Sequence, residues 1–281
     1  MNVEFFGVRG SMPSPGKHTL VFGGHTSCVR IKQSNGQQLI LDAGTGIANL
    51  GNELLNSTQP IALLLTHNHW DHIQGFPFFK PIYQADRDIT VVVGDVHDNE
   101  SRAAVLDQMS GSQFPVDQHD LPANIMLNTT LAKQKEFTLN DFVIRTAPLN
   151  HPGGGTAYCV YADNCKVAYV TDNELSPPGT VSTTIDEWIE FVSGADLLIH
   201  DAQLIDEDLP LKHGWGHSTV NQVVNLAITA NIKKLAFISH DPMRCDAELI
   251  AIENTLNAEF GDALTIECAR EGQTILLDKE A

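Results

Sequence analysis

Basic residues, long apolar runs and close cysteine pairs are all scarce in this sequence of 281 residues. Its 17 Lys and Arg stand against 35 Asp and Glu, which gives a formal net charge of −18. A surface of that sign repels nucleic-acid phosphates over most of its area, so a long polyanionic substrate or partner is disfavoured. A bound metal pair can still make one pocket of such a protein locally positive.

The sequence contains no recognisable signal for export or for membrane insertion. No segment approaches the roughly 18 apolar residues of a membrane helix, and the N-terminus lacks a basic stretch followed by an apolar one. The cysteines are scattered without a Cys-x-x-Cys pair, which favours reduced, mostly buried thiols and a cytoplasmic location. They are Cys28, Cys159, Cys165, Cys245 and Cys268.

No Gly/Ser-rich linker, Pro-rich linker or charge block divides the chain, so we predict a single domain over residues 1–281. Short apolar runs alternate with helix-like stretches, which predicts a layered α/β fold. The predicted strands are 61–65, 167–170, 197–199 and 235–238, and the predicted helices are 184–192, 219–230 and 247–260.

A His or an Asp follows each of these four predicted strands. His67 follows the first strand, Asp172 the second, His200 and Asp201 the third, and His240 the fourth. In open α/β sheets, ligands bind beyond the carboxyl ends of the strands. We therefore predict one site that is assembled from four distant segments.

The string HNHWDH at 67–72 carries residue types that bind metal ions. In an extended loop, residues two apart point to the same side, so His67 and His69 can bind one ion. Asp71 and His72 come just after them and can turn toward a second ion. Imidazole and carboxylate without thiolate suit Zn²⁺ first, with Mn²⁺ or Fe as alternatives.

This string resembles the defining motif of the metallo-β-lactamase superfamily, and residues 7–11 and 23–28 extend the resemblance toward the N-terminus. It is most similar to the branch that contains ribonuclease Z and the phosphoribosyl cyclic phosphate phosphodiesterase. The resemblance implies an αββα four-layer sandwich with two divalent metal ions. It implies ligands His67, His69 and His151 for the first ion, Asp71, His72 and His240 for the second, and Asp172 as a bridge.

Three of these ligands have other interpretations. His151 could lie in an ordinary loop, Asp172 could cap a helix, and His240 could be a satisfied histidine at a strand end. We favour ligation at all three positions. His151 follows a predicted strand at 142–146, and the second ion otherwise lacks a partner near the C-terminus.

A second layer of the site is indicated around His217, which opens a predicted helix with Ser218 or Thr219 as its N-cap. The His-Ser-Thr sequence there resembles a motif of the ribonuclease Z branch whose histidine faces the scissile phosphate. Residues 200–203 stand where that branch has His-Glu-Ala-Thr. The resemblance implies that Asp201 orients His217, which protonates the leaving alkoxide, whereas the alternative is a histidine that only lies at a helix start.

The remaining histidines have weaker patterns. His18, His97, His119 and His213 lack neighbours at metal-ligand spacing, and we expect them at the surface. His25 replaces an Asn of the family's Gly-Gly-Asn-Thr-Ser-Cys string, and its role is open.

Together these patterns predict a dinuclear hydrolase of a small phosphodiester, cyclic substrates included, that acts through a hydroxide held between the ions. Asp71, His217 and Asp201 are the predicted catalytic residues. Ribonuclease Z carries a basic tRNA-binding arm where this chain has residues 173–199, which contain no Lys or Arg. The alternatives are a lactone or thioester hydrolase, and a metal-loaded binding or sensing protein without catalysis. A homodimer is left open, and no membrane partner is expected.

Overall fold

The structure is a computed structural model that describes residues 1–95 and 103–278. It has two seven-stranded sheets, and the first, which comes mostly from the N-terminal half of the chain, mixes antiparallel and parallel pairs. Its strands are β1 (Asn2–Gly7), β2 (Cys28–Lys32), β3 (Gln38–Leu41), β4 (Ile61–Leu64), β5 (Asp88–Val92), β6 (Asn124–Asn128) and β14 (Thr274–Leu276). Their order is β14-β1-β2-β3-β4-β5-β6, and the pairs from β3 to β6 are parallel. The strand predicted at 61–65 is confirmed as β4.

A second seven-stranded sheet contains the other four predicted strands, including the one at 142–146. Its members are β7 (Glu136–Leu139), β8 (Phe142–Pro148), β9 (Thr156–Ala162), β10 (Cys165–Val170), β11 (Leu197–Asp201), β12 (Lys234–Ile238) and β13 (Thr265–Cys268). Their order is β13-β12-β11-β10-β9-β8-β7, and the pairs from β10 to β13 are parallel. The carboxyl ends of β10, β11 and β12 therefore meet at one edge.

Short α-helices lie outside the sheets. They are α1 (Ile47–Leu54), α2 (Trp70–Ile73), α3 (Ala104–Asp107), α4 (Ile185–Val192), α5 (Leu209–Lys212), α6 (Val220–Thr229) and α7 (Asp246–Phe260). The three helices predicted from sequence are confirmed as α4, α6 and α7, with ends within one residue of the prediction. Thr219, not Ser218, is the N-cap of α6 and accepts the amide of Gln222 at 3.3 Å. Among the described helices, none has both the length and the apolar character that a membrane crossing needs.

The apolar side chains form three clusters in successive layers. One cluster lies between the sheets, and the other two lie between each sheet and its helices. The alternation within β4 shows the division, because Ala62 and Leu64 face the other sheet while Leu63 packs against the helical side with Leu50 of α1. The order helix, sheet, sheet, helix confirms the αββα four-layer sandwich.

The acidic stretch 173–199 is anchored to this core at some positions, while residues 178–182 and 184–187 are exposed. All of it is described, and it contains α4 and the start of β11. Trp188 of α4 is fully buried in the outer cluster of the second sheet. All five cysteines are free thiols, and only Cys245 is partly exposed, which confirms that most of them are buried.

Three buried residues near strand ends have left-handed backbone, which reverses the chain at the site edge. The φ angles are 60° for Asp42 after β3, 49° for Asp172 after β10 and 57° for Ser239 after β12. Such conformations cost a non-glycine residue of order 1–3 kcal/mol and persist where surrounding contacts fix them. The side chains of all three make buried hydrogen bonds at the site described next.

Candidate metal centre

Three imidazoles and one carboxylate converge at the carboxyl ends of the strands. The donor atoms of His67, His69, His151 and Asp172 lie within 4.8 Å of one another. His151 Nε2 is 2.9 Å from His69 Nδ1, and Asp172 Oδ2 is 3.7 Å from His67 Nε2 and 3.9 Å from His151 Nε2. Three nitrogens and one oxygen are a ligand set that suits a four-coordinate divalent ion.

A second group of donors shares Asp172 with the first. His72 Nε2 lies 3.2 Å from Asp172 Oδ2 and 3.3 Å from Asp71 Oδ2, and the three residues form a cluster within 4.8 Å. The same oxygen, Asp172 Oδ2, therefore faces both groups. A carboxylate in that position can bridge two ions.

Unpartnered atoms at the centre fit a metal site. In the described structure, His67 Nε2 and His72 Nε2 are buried without a hydrogen-bond partner. Buried polar nitrogens nearly always have a hydrogen-bond partner. Here His67 Nε2, in the first group of donors, and His72 Nε2, in the second, both face the Asp172 carboxylate. Divalent cations between these donors would satisfy them.

The outer nitrogens of two of these histidines are held by neighbouring groups. His72 Nδ1 donates to Asp42 Oδ2 at 2.9 Å, and His151 Nδ1 donates to the Gly216 carbonyl at 2.9 Å. Such bonds fix the ring orientation and leave Nε2 of each ring as the ligating atom. No residue other than glycine fits at 216, because a Cβ there would lie 2.0 Å from His151 Nδ1.

Asp42 is a site residue that the sequence patterns above do not single out. It is fully buried and accepts the Thr66 amide at 2.8 Å and the Tyr169 hydroxyl at 2.9 Å, besides the His72 ring. It also follows the apolar strand β3 directly. The rule that strands end in site residues could therefore have found it.

The Asp172 carboxylate is oriented by hydroxyl groups. Its Oδ1 accepts hydrogen bonds from Thr171 Oγ1 and Ser239 Oγ, both at 3.0 Å, so Oδ2 is left to face the histidines. Burial acts to raise its pKa, but the adjacent His72 outweighs burial and holds the pKa well below the ordinary range. The helix-cap interpretation does not apply, since the next helix begins at Ile185.

Two of the first-group histidines are neutral at pH 7. Burial lowers the pKa of His67 well below its ordinary value and lowers the pKa of His151 to about 4. A neutral imidazole has the free lone pair that a metal ion requires.

His240 lies outside the two groups above, and outside a third group of close donors among the described residues, Asp172, Asp201 and His217. Its Nε2 donates to the Ala269 carbonyl at 2.9 Å, and burial lowers the pKa of the ring to about 3. The ring is therefore neutral, and its lone pair is on Nδ1. Ligation of a second ion by His240 stays a prediction, and it would use Nδ1.

His217 and Asp201 form a buried pair beside the first group. His217 Nδ1 lies 3.3 Å from Asp201 Oδ1, and Asp201 Oδ2 accepts the Ser218 amide at 2.9 Å. The His217 ring is 5.5 Å from the His151 ring. Burial acts to lower the pKa of His217, but the nearby carboxylates, Asp201 first and then Asp172 and Asp71, outweigh burial and raise the pKa to about 9.

The other histidines are mostly at the surface. His18, His119 and His213 are exposed as predicted, and His97 lies outside the described residues. His25 Nδ1 is 3.1 Å from Thr45 Oγ1 in the N-terminal loops. The role of His25 is not defined by this contact.

The sequence profile of the family described as the beta-lactamase superfamily domain matches residues 37–240, which include nearly all of the centre. The chain belongs to the metallo-β-lactamase superfamily. Its members of known fold share the two mixed sheets flanked by helices seen here. Membership of this superfamily, together with the ribonuclease Z relatives, indicates a metal-dependent hydrolase.

Relatives and solved structures extend this likeness over most of the chain. A ribonuclease Z of Bradyrhizobium sp. (strain ORS 278) is 24% identical over 88% of this chain and 92% of its own length. A metallo-β-lactamase fold protein, YhfI of Bacillus subtilis, has a TM-score of 0.68 at 16% identity, over 98% of this chain and 99% of its own. A diphosphatase from the PhnP family has a TM-score of 0.66 at 17% identity, over 98% and 96%. At these identities the structures establish the shared fold alone.

Proposed function

We propose that this metallo-β-lactamase superfamily protein is a phosphodiesterase that hydrolyses a small phosphodiester with the help of two divalent metal ions, Zn²⁺ first among them. The observation that carries the proposal is the His217–Asp201 pair, whose ring lies beside the first group of metal donors. A protonated imidazole in that place suits a reaction that expels a poorly stabilised alkoxide.

The donor groups define which residues would hold the ions. The first ion would take His67, His69 and His151 and the second Asp71 and His72, with Asp172 shared by both. His240, which lies outside these groups, would complete the second set through Nδ1. When bound, such ions polarise the phosphoryl group and lower the pKa of water. Asp42 and the Gly216 carbonyl keep two of the imidazoles in place.

His217 is the proton donor in this proposal. Asp201 accepts from its Nδ1, which leaves Nε2 to carry the proton that the leaving oxygen needs. Burial lowers the pKa of the ring, but Asp201 is the strongest of the groups that raise it, which favours the protonated form. Asp201 also accepts the Ser218 amide, so the carboxylate is fixed from two sides.

A small substrate is favoured over a long nucleic acid. The net charge of −18 opposes a long polyanion, and residues 173–199, where a basic arm would stand, contain no Lys or Arg. The names of the relatives, a ribonuclease Z and a diphosphatase, both denote cleavage at phosphorus. The proposal includes a cytoplasmic location, in keeping with five unpaired thiols.

The test uses the different needs of two leaving groups. A nitrophenolate leaves without a proton, whereas an alkoxide needs one, so His217→Ala should reduce kcat/KM for an alkyl or cyclic ribose diester by roughly 10²–10⁴-fold. Hydrolysis of a nitrophenyl diester should fall much less. The metal content of the variant should equal that of the wild type, as measured by elemental analysis.

Equal losses on the two diesters would contradict the proton-donor role. A lactone rate above both diester rates would favour the lactone or thioester hydrolase alternative, for which the pair at His217 has no evident use. Metal-dependent turnover of any of these substrates would exclude a catalytically inactive binding or sensing protein.

A further inference from the structure

Glu174 is a buried carboxylate that none of the roles above explains. It is 1% exposed and lies two residues after Asp172 at the end of β10. Its Oε1 accepts the amide of Gly214 and its Oε2 accepts the amide of Gly216, both at 2.9 Å. His213 Nε2, on a half-exposed ring, lies 3.6 Å from Oε1 as well. A buried carboxylate loses hydration that two amide hydrogen bonds only partly return, so its presence calls for a reason.

The segment that Glu174 holds carries two groups of the site. The Gly216 carbonyl accepts from His151 Nδ1, and the next residue is His217. Both glycines have left-handed backbone, with φ of 88° at Gly214 and 86° at Gly216. The conformation of this loop therefore determines the positions of both His151 and His217. The Glu174 carboxylate accepts an amide at each of the two left-handed glycines of the loop.

The backbone around Glu174 is tied to the other side of the centre as well. The Glu174 amide donates to the Asn150 carbonyl at 3.0 Å, and the Asn150 amide donates to Asn173 Oδ1 at 3.0 Å. Asn150 precedes His151 directly. Residues 173–174 thus connect the strand end that bears Asp172 to the loops that bear His151 and His217.

A carboxylate is the side chain that this geometry requires. Its two oxygens only accept, so each can take one amide of the loop. A glutamine would turn its NH₂ group toward one of these amides and place two donors against each other. An aspartate keeps both acceptors but is one methylene shorter.

We propose that Glu174 is a positioning residue that acts through the loop 214–217, setting His151 for metal binding and His217 for proton donation. It does not touch the reacting groups itself. This inference rests in part on the proposed phosphodiesterase function, since the role of His217 comes from there. The effect on His151 does not depend on that function.

The experiment combines zinc affinity with a double-mutant cycle. Glu174→Gln should weaken the tighter-bound Zn²⁺ about 10-fold in competition with a chelator, because the carbonyl that orients His151 moves. It should lower kcat for an alkyl diester about 10-fold with little change in KM. With Zn²⁺ at saturation, so that weaker binding through His151 does not lower kcat, the loss in the double variant Glu174→Gln/His217→Ala should match that of His217→Ala alone, since the remaining effect of Glu174 acts through His217.

Glu253→Gln is the matched control. Glu253 also accepts a backbone amide, that of Cys268 at 2.7 Å, but it lies on α7 and binds Arg270. This variant should leave zinc affinity unchanged, and its loss of kcat, if any, should multiply with that of His217→Ala. Should Glu174→Gln fail to fold by circular dichroism, Glu174→Asp takes its place in the same measurements.

Wild-type zinc affinity in Glu174→Gln, together with a loss that multiplies with that of His217→Ala, would overturn the inference and leave Glu174 a structural residue. Failure of the proposed function has a different signature. In that case His217→Ala would not distinguish the two leaving groups, while the zinc affinity of Glu174→Gln would still fall.

Discussion

At the scale of single residues, each proposed ligand has two polar atoms, and the hydrogen bonds of one atom determine which other atom can bind a metal ion. Asp172 binds hydroxyl groups with Oδ1 and presents Oδ2 to the histidines. His72 gives Nδ1 to Asp42, and His240 gives Nε2 to the Ala269 carbonyl. A histidine that donates through one nitrogen has only the other left for a metal ion, so these contacts determine which atom can ligate.

His240 allows a direct test of the two-ion site. The wild-type protein should bind about two Zn²⁺ per chain at saturation, and His240→Ala should bind about one, because only the second ion loses a ligand. Asp172→Ala should weaken both sites, since its carboxylate faces both groups. Elemental analysis after gel filtration measures the stoichiometry.

His200→Ala serves as the control for that change. His200 is also buried at a strand end, but its Nδ1 is 2.6 Å from the Asp201 carbonyl and it belongs to no donor group in the described structure. It should retain two ions. Two ions in His240→Ala would remove His240 from the ligand set.

At the scale of elements, strand pairing and helix capping bring the site together. Parallel pairing of β10, β11 and β12 brings Asp172, Asp201 and His240 to one edge of a sheet. The N-terminus of α6 then places His217 against Asp201. The cap of α6 is therefore close to the His217–Asp201 pair without being part of it.

Thr219→Ala should lower the free energy of unfolding by about 1 kcal/mol, because it removes the hydroxyl that accepts the Gln222 amide. Thr184→Ala removes the equivalent cap of α4, which accepts the Glu187 amide, and should cost a similar amount. Urea unfolding followed by circular dichroism measures both. A cost below about 0.3 kcal/mol for both variants would show that tertiary packing, not capping, fixes where these helices begin.

At the scale of the whole molecule, the two sheets share one core. The cluster between them takes side chains from both, such as Phe5 and Leu64 from the first sheet and Tyr158 and Ile199 from the second. Neither sheet can keep its inner face buried if the other unfolds. The shared core supports the prediction of a single domain over residues 1–281, and this prediction can be tested by unfolding.

We therefore expect one cooperative thermal transition that metal removal shifts downward. With free Zn²⁺ at about 100 times the dissociation constant, each site adds about 2.7 kcal/mol of stability. For two sites this corresponds to a rise in Tm of roughly 10 to 20 °C for a chain of this size. Differential scanning calorimetry with Zn²⁺ and with EDTA tests this, and two separate transitions in the EDTA sample would contradict a single domain.

The sequence by itself determined the types of residue at the site and some of the elements, namely five of the fourteen strands and three of the seven α-helices that the structure describes. Helix ends followed from caps and apolar periodicity, which are local, and the order of strands and helices indicated the layers. The strand-end pattern and the HNHWDH string located the donors for the same reason, because each depends on near neighbours in the chain.

Only the tertiary structure decided how these residues are held and which atoms they present. Asp42 reaches His72 across 30 residues, Glu174 reaches Gly216 across 42, and the Ala269 carbonyl reaches His240 across 29. Each is a single contact between loops whose separation depends on the packing of both sheets. No local pattern encodes such contacts, since a buried Glu four residues after a strand looks the same in the sequence as an exposed one.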